Sequence, residues 1–306
     1  MRNDRLPESA AELSGRIVIL ANPAAGGGDR GALARFVAAL AGPTRQINML
    51  MSAGPGDLRR LSRDVVADAL LVAGGDGSIN EAVEGLLARN GPKPVLGIIP
   101  QGTVNVLASE LGLPRDPALL ARAYLENRIG RLSLGLANGR PFVLMASAGL
   151  DAEVVSALRP ALKRIIGRAA YLVEAGRLIL RASPPLEIET DTGTFHAPLA
   201  IVANAARYGG DFVVSRDVHA LRLGLRLIVL RNVDLLSLLR LGYFLLRGEI
   251  EASGLIDSVA VRRAMIRAPL PAATQIDGDA LGRTPLLVQE AEAALDILLA
   301  QEGSKA

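Results

Sequence analysis

One local pattern constrains this chain more than any other: a short apolar run, then a turn rich in Gly and Pro, then helical spacing. Its clearest instance is the segment from Leu71 to Asn80, Leu-Val-Ala-Gly-Gly-Asp-Gly-Ser-Ile-Asn. The apolar run reads as a buried strand. Gly74, Gly75 and Gly77 carry no Cβ, so the backbone can turn sharply and bring its N–H groups close to an anion. From Ile79 onward, Ala82, Val83, Leu86 and Leu87 recur at helical spacing. A helix starting there would direct its positive end at the same anion. Asp76 is the odd residue, because a carboxylate repels phosphate. Beside a phosphate it makes chemical sense with a cation between the two.

The pattern recurs. Residues 16–20, 46–51, 69–73 and 95–99 read as strands, and 32–40, 57–66 and 79–88 as helices. Turn-forming clusters follow the strands: Asn22-Pro23 with Gly26 to Gly28, Ser52 to Gly56, Gly74 to Ser78, and Pro100 to Thr103. Alternating strands and helices predict a parallel sheet covered on both faces. Such sheets bind ligands at the carboxyl ends of their strands, where all four loops lie.

From about residue 131 the texture changes. Residues 131–137, 141–148, 186–190, 195–204, 221–231, 258–268 and 274–276 read as short strands separated by Gly, Pro or Asn. They predict an antiparallel β-rich sandwich, interrupted by helices over 154–181 and 234–247. The expected division is an α/β nucleotide-binding domain over 1–130 and a β-rich domain over 131–287. A tail from about 288 to 306 would pack back on the first domain.

Composition removes several function classes. The 306 residues include no Cys and only two His, which excludes disulfides, thiolate metal sites and a Cys nucleophile. Aromatics are 3% with no Trp, against base-stacking nucleic-acid surfaces, so no nucleic-acid partner is expected. The chain is half hydrophobic, with mean hydropathy +0.32, yet no apolar run approaches the roughly 20 residues of a membrane span. The first 15 residues lack a signal-peptide pattern. The expected location is the cytoplasm, with peripheral contact at the inner membrane face. A net charge of +3 suits anionic ligands or an anionic surface.

Four segments together resemble the catalytic domain family of diacylglycerol kinases, which includes bacterial lipid kinases and is related to sphingosine kinases. Asn22-Pro23 with Gly26 resembles the first nucleotide loop. Ser52-Ala53-Gly54-Pro55-Gly56-Asp57 is similar to the second, and Gly74 to Glu81 to the signature, each with Ser where Thr is usual. Pro100-Gln101-Gly102-Thr103-Val104-Asn105, running on to Pro114, resembles the fourth. The resemblance implies a phosphofructokinase- or NAD-kinase-like α/β domain that binds ATP and Mg²⁺. It places Asn22, Gly26, Ser52, Gly74, Gly75, Asp76, Gly77, Ser78, Ile79, Asn80, Glu81 and Thr103 around the nucleotide. Asp76 would face the nucleotide's Mg²⁺, directly or through other groups. Asn105 would fix its loop, cap a helix, or do both.

The implied reaction is transfer of the γ-phosphoryl group to the hydroxyl of a diacylglycerol-like lipid alcohol entering between the domains. In Gln275-Ile276-Asp277-Gly278-Asp279 the family carries Asp-Gly-Glu, which makes Asp277 the implied general base and Asp279 its shorter helper. By local chemistry alone, Asp277-Gly278 reads as a hairpin turn. Leu223 stands where the family often carries an Asp that binds a structural Mg²⁺. A Leu cannot ligate a hard cation, so that site is expected to be absent, or rebuilt with charge from Arg222 or Arg226. Basic residues over 159–181, among them Lys163, Arg164 and Arg168, and the apolar helix over 234–247 suggest contact with an anionic membrane. Two alternatives stay open: a soluble-substrate kinase of the NAD-kinase or phosphofructokinase type, and a non-catalytic nucleotide- or lipid-binding protein. Which lipid is used is not fixed by the sequence, and a homo-oligomer is left open.

Overall fold

A computed structural model describes residues 13–25, 31–157, 185–210, 212–231 and 235–300. Gly26, the whole basic segment over 159–181, and so most of the helix expected over 154–181, lie outside the described residues. Contacts divide the chain into two units, Met1–Ser133 with Ala293–Ala306, and Leu134–Glu292.

The first unit is built on β1 (Gly15–Ala21), β2 (Arg45–Met51), β3 (Ala69–Gly74) and β4 (Val95–Pro100), joined through α1 (Ala32–Leu40), α2 (Asp57–Asp64) and α3 (Asp76–Leu87). All six residues of β3 are buried, as a strand covered on both faces requires. The sheet order is β2-β1-β3-β4, then strand Leu295–Leu299, then β5 (Arg128–Leu132). The first four strands run parallel, and Leu295–Leu299 is parallel to β4 and antiparallel to β5. Strand order reverses between β1 and β3, the position where ligands bind in open α/β sheets.

After β4 come α4 (Val106–Glu110) and α5 (Pro117–Leu125). Asp116 caps α5 by accepting the Leu119 N–H at 2.8 Å, with Pro117 in the first turn. Leu295–Leu299 meets β4 in register only at Ile297 and Leu96. The backbone of Ile98 is satisfied by Tyr124 of α5 instead. The Tyr124 hydroxyl donates to the Ile98 carbonyl at 2.7 Å and accepts its N–H at 2.9 Å. Burial drives this phenol well above its ordinary pKa, so it stays neutral.

The second unit has two six-stranded antiparallel sheets. One orders strands Gly193–Ala197, Leu186–Thr190, Arg263–Arg267, Leu286–Glu290, Gly135–Ala137 and Arg140–Phe142. The other orders Ile256–Val261, Leu225–Leu230, Leu199–Ala203, Met145–Gly149, Ala273–Ile276 and Asp279–Arg283. Phe142, Ile188 and Ile266 from the first meet Val202, Leu227 and Ile276 from the second in one buried cluster. Helices α6 (Leu150–Ala157) and α7 (Leu235–Leu246) are added to this frame.

Four stretches read as single strands are each two. Residues 131–137, 141–148, 195–204 and 258–268 all break in the middle, and the two halves join different sheets. Pro198, which has no N–H to give a ladder, separates Gly193–Ala197 from Leu199–Ala203. At Arg262 the N–H turns aside to the Asp191 carboxylate at 3.0 Å. Chain that changes sheets at a corner keeps its β-like composition while losing its ladder, which is why one run conceals two strands.

Candidate active site

All four loops of the first unit follow the carboxyl ends of parallel strands. Asn22, just after β1, donates from Nδ2 to the Ser78 hydroxyl at 2.9 Å and accepts the Ala24 N–H at 3.0 Å. This ties the first loop to the start of α3. Ser52 follows β2, is buried, and its N–H bonds the Ala21 carbonyl at 2.9 Å. Asp57 accepts the Ala53 N–H at 2.9 Å and two bonds from Arg60, which hold its carboxyl below the usual range. Glu81 reaches from α3 to accept the Gly56 N–H at 2.9 Å.

Gly74 and Gly102 are demanded by close approach. A Cβ at Gly74 would stand 2.5 Å from the Ser78 side chain. A Cβ at Gly102 would stand 2.7 Å from the Gly75 Cα and 2.7 Å from Asn105 Oδ1. The third and fourth loops therefore stack backbone on backbone. Ser78 and Ile79 donate to the Gly75 carbonyl at 3.0 and 3.2 Å. Gly77 is exposed in the first turn of α3, where N–H groups have no intrahelical acceptor. Thr103 is exposed on the fourth loop, and Asn80 is half-buried on α3. Ile79 is 1% exposed, so its side chain belongs to the core and only its backbone is near the loop.

Asp76 has a job that sequence reading did not assign. Its Oδ2 accepts the Val106 N–H at 3.0 Å and its Oδ1 the Leu107 N–H at 3.1 Å. It caps α4 from 30 residues away and locks the third loop to the fourth. Asn105 occupies the N-cap position of α4, with φ 52°, but its side chain does no capping. It clamps Gly102 instead, accepting its N–H at 2.8 Å and donating to its carbonyl at 2.6 Å. Burial raises the Asp76 carboxyl above its ordinary pKa, opposed by the N–H bonds. The expectation of a metal-facing Asp76 thus meets a carboxylate with both oxygens already bonded to backbone. Glu81 Oε2, by contrast, is buried without a hydrogen-bond partner among the described residues.

In the second unit, Asp277 and Gly278 form the two-residue turn between strands Ala273–Ile276 and Asp279–Arg283, with φ of 48° and 86°. Positive φ at both positions is the hairpin geometry that Asp-Gly favours. The Asp277 carboxylate is directed at the adjoining chain. Oδ2 accepts the Val143 N–H at 2.8 Å, and Oδ1 accepts those of Leu144 and Met145 at 2.7 and 2.8 Å. Three N–H donors fix the direction of the carboxylate. Asp279 is exposed. Leu223 is 77% exposed, and Arg226 pairs with Asp217 at 2.8 Å while its Nε donates to the Ser258 hydroxyl at 2.8 Å.

Behind the Asp277 turn lies a polar cluster absent from the sequence reading. Gln275 donates from Nε2 to Asp151 Oδ2 at 3.0 Å and to the Ser147 hydroxyl at 2.9 Å, and accepts the Gly278 N–H at 2.8 Å. The hydroxyls of Ser147 and Tyr208 both donate to Asp151. A buried Gln two residues before an Asp-Gly turn was the available signal; its partner 124 residues away was not.

The chain thus consists of an α/β unit with four loops at the carboxyl ends of its strands and an antiparallel β-sheet unit. Residues 16–137 match the family model of the diacylglycerol kinase catalytic domain. A diacylglycerol kinase of Bacillus subtilis is 30% identical over 223 residues, 71% of this chain and 73% of that protein. A probable lipid kinase YegS-like protein of Pseudomonas aeruginosa is 33% identical over 182 residues, 56% of this chain and 58% of that protein. The chain belongs to the diacylglycerol kinase catalytic domain family. A crystal structure of a diacylglycerol kinase from Bacillus anthracis shares the fold, with TM-score 0.70 at 19% identity over 93% of this chain and 96% of that one. A second Bacillus anthracis structure has TM-score 0.79 at 22% identity, over 96% and 98%.

Proposed function

We propose that this protein is an ATP-dependent lipid kinase that phosphorylates the hydroxyl of a diacylglycerol-like lipid alcohol. The observation that carries the reading is the locked pair of loops, Gly75 against Gly102 with Asp76 bridging to α4, at the carboxyl edge of the sheet. Phosphoryl transfer is mainly positioning and charge stabilisation, so a rigid set of backbone amides is the part a kinase must build. The N–H groups of Gly75 and Gly77 and the hydroxyls of Ser52, Ser78 and Thr103 suit phosphate oxygens, with Asn22 holding the first loop in place. Gly26 would complete that loop.

Among the described residues no group of three or more His, Cys, Asp or Glu stands ready to hold a metal ion. The donor set suits Mg²⁺ carried by the nucleotide, with Glu81 Oε2 the carboxylate oxygen on offer and Asp76 acting indirectly through the loops. When bound, Mg²⁺ neutralises charge on the phosphates. Asp277 accepts the proton of the acceptor hydroxyl. A weak base suffices, because a loose phosphoryl-transfer transition state asks little deprotonation of the nucleophile. Asp279 acts as its neighbouring carboxylate.

One observation favours a non-catalytic binder: Asp277 already accepts three backbone bonds, a structural duty in itself. Asp277→Asn separates the two, abolishing transfer but not ATP binding in a kinase. For the lipid surface, α7 presents Leu236 at 76% and Tyr243 at 55% exposure beside exposed Arg240 and Arg247. Among the described residues no helix is long and apolar enough to cross a membrane. Resting α7 on an anionic leaflet, from the cytoplasmic side, would bring the enzyme to its substrate. The discriminating assay offers labelled ATP with diacylglycerol in mixed micelles, other lipid alcohols, and NAD in buffer. Label on a lipid supports the reading, and label only on NAD selects a soluble-substrate kinase.

A further inference from the structure

We propose that Asp151, acting through Gln275, is a positioning residue for Asp277. Gln275 is 1% exposed, Ser147 0% and Asp151 9%, so this network is shut away from bulk water. A Gln side chain presents an acceptor on one side and a donor on the other, and only its surroundings decide which way it faces. Here the deciding group is the Asp151 carboxylate, which only accepts. It draws Nε2 of Gln275 toward itself at 3.0 Å and so turns Oε1 toward the Gly278 N–H, 2.8 Å away. Reversed, the amide would set donor against donor at Gly278. That N–H belongs to the turn whose positive φ angles direct the Asp277 carboxylate onto Val143, Leu144 and Met145.

Asp151 is itself fixed at both oxygens, by Tyr208 at Oδ1 and by Ser147 at Oδ2. It lies in the first turn of α6, directly after strand Met145–Gly149. Ser147 and Gln275 are cross-strand neighbours in that sheet. The chain thus carries an orienting relay from Tyr208 through Asp151 and Gln275 to the Asp277 turn. None of these three touches the reacting atoms. Their effect is on how firmly the turn that carries the Asp277 carboxylate is held.

The inference rests on Asp277 being the base, so the experiment separates the two. Wild type, Gln275→Glu, Asp151→Asn with Gln275→Glu, Gln275→Met and Asp277→Asn are assayed for transfer from ATP to diacylglycerol in mixed micelles. Thermal melts accompany each variant. Gln275→Glu sets two carboxylates face to face, and kcat falls at least tenfold while KM for ATP stays within twofold. Adding Asp151→Asn exchanges donor and acceptor across the pair and returns kcat to within about threefold of wild type. Gln275→Met removes all three side-chain bonds without adding a charge, so it reports even where Gln275→Glu fails to fold, and it loses at least tenfold in kcat. Wild-type kcat in Gln275→Met, or no recovery in a folded double variant, overturns the relay. Asp277→Asn inactive beside fully active Gln275 variants leaves the base and removes the relay. A fully active Asp277→Asn removes both.

Discussion

Asp76 and Gly102 show how much one residue decides here. Ala at position 102 places a methyl 2.7 Å from the Gly75 Cα, a backbone atom that cannot swing aside, so the two loops must part. Gly102→Ala is expected to weaken ATP binding about tenfold or more in calorimetry, roughly 1.4 kcal/mol, while the fold survives. Asp76→Asn leaves one of two backbone N–H groups of α4 without its acceptor, a loss of about 1 kcal/mol by analogy with helix capping. The pH dependence has a definite sign. Because burial raises the Asp76 carboxyl above 3.8, its contribution to stability is complete below that value and declines as pH rises through the folded value. Asn does not titrate, so the melting-temperature advantage of wild type over Asp76→Asn shrinks as pH rises above about 4. An advantage that grows over that range would contradict the burial account.

The strand-loop-helix elements of the first unit were legible because each announces itself locally. Gly, Pro, Asn and Ser punctuate runs whose period changes from strand to helix, and the loop chemistry lies within a few residues. The Asp277-Gly278 hairpin was legible for the same reason. What stayed hidden was made by distant pairings. Asp76 caps a helix 30 residues on, and Asp151 meets Gln275 across 124 residues. The sandwich strands were legible as β-forming runs but not as corners, since a run that changes sheets keeps its β-like composition on both sides of the break. At this scale α7 makes its own prediction. Leu236→Glu with Tyr243→Glu should reduce sedimentation with anionic vesicles about tenfold or more, since each exposed apolar side chain carries about 1.5–3 kcal/mol of burial. Unchanged sedimentation would return α7 to a solvated role.

Across the whole molecule, the chain leaves the first unit at Ser133 and returns at Ala293 to place Leu295–Leu299 between β4 and β5. Ile297 and Leu298 are fully buried there, so the first unit's sheet is finished only when the second unit has been traversed. Ile297→Ala should cost about 2–5 kcal/mol of stability in denaturant melts, with loss of the first unit rather than of the sandwich. The division of labour follows the same route. The amides proposed to hold phosphate belong to one unit and the proposed base to the other. The most direct test of that account measures labelled phosphate passing from ATP to diacylglycerol in mixed micelles, with ATP binding measured in parallel, for wild type and Asp277→Asn. The account predicts labelled lipid from wild type, and a loss of about a hundredfold or more in Asp277→Asn with ATP affinity unchanged. Equal labelling by both proteins, or ATP binding by wild type with no lipid labelled, would contradict it.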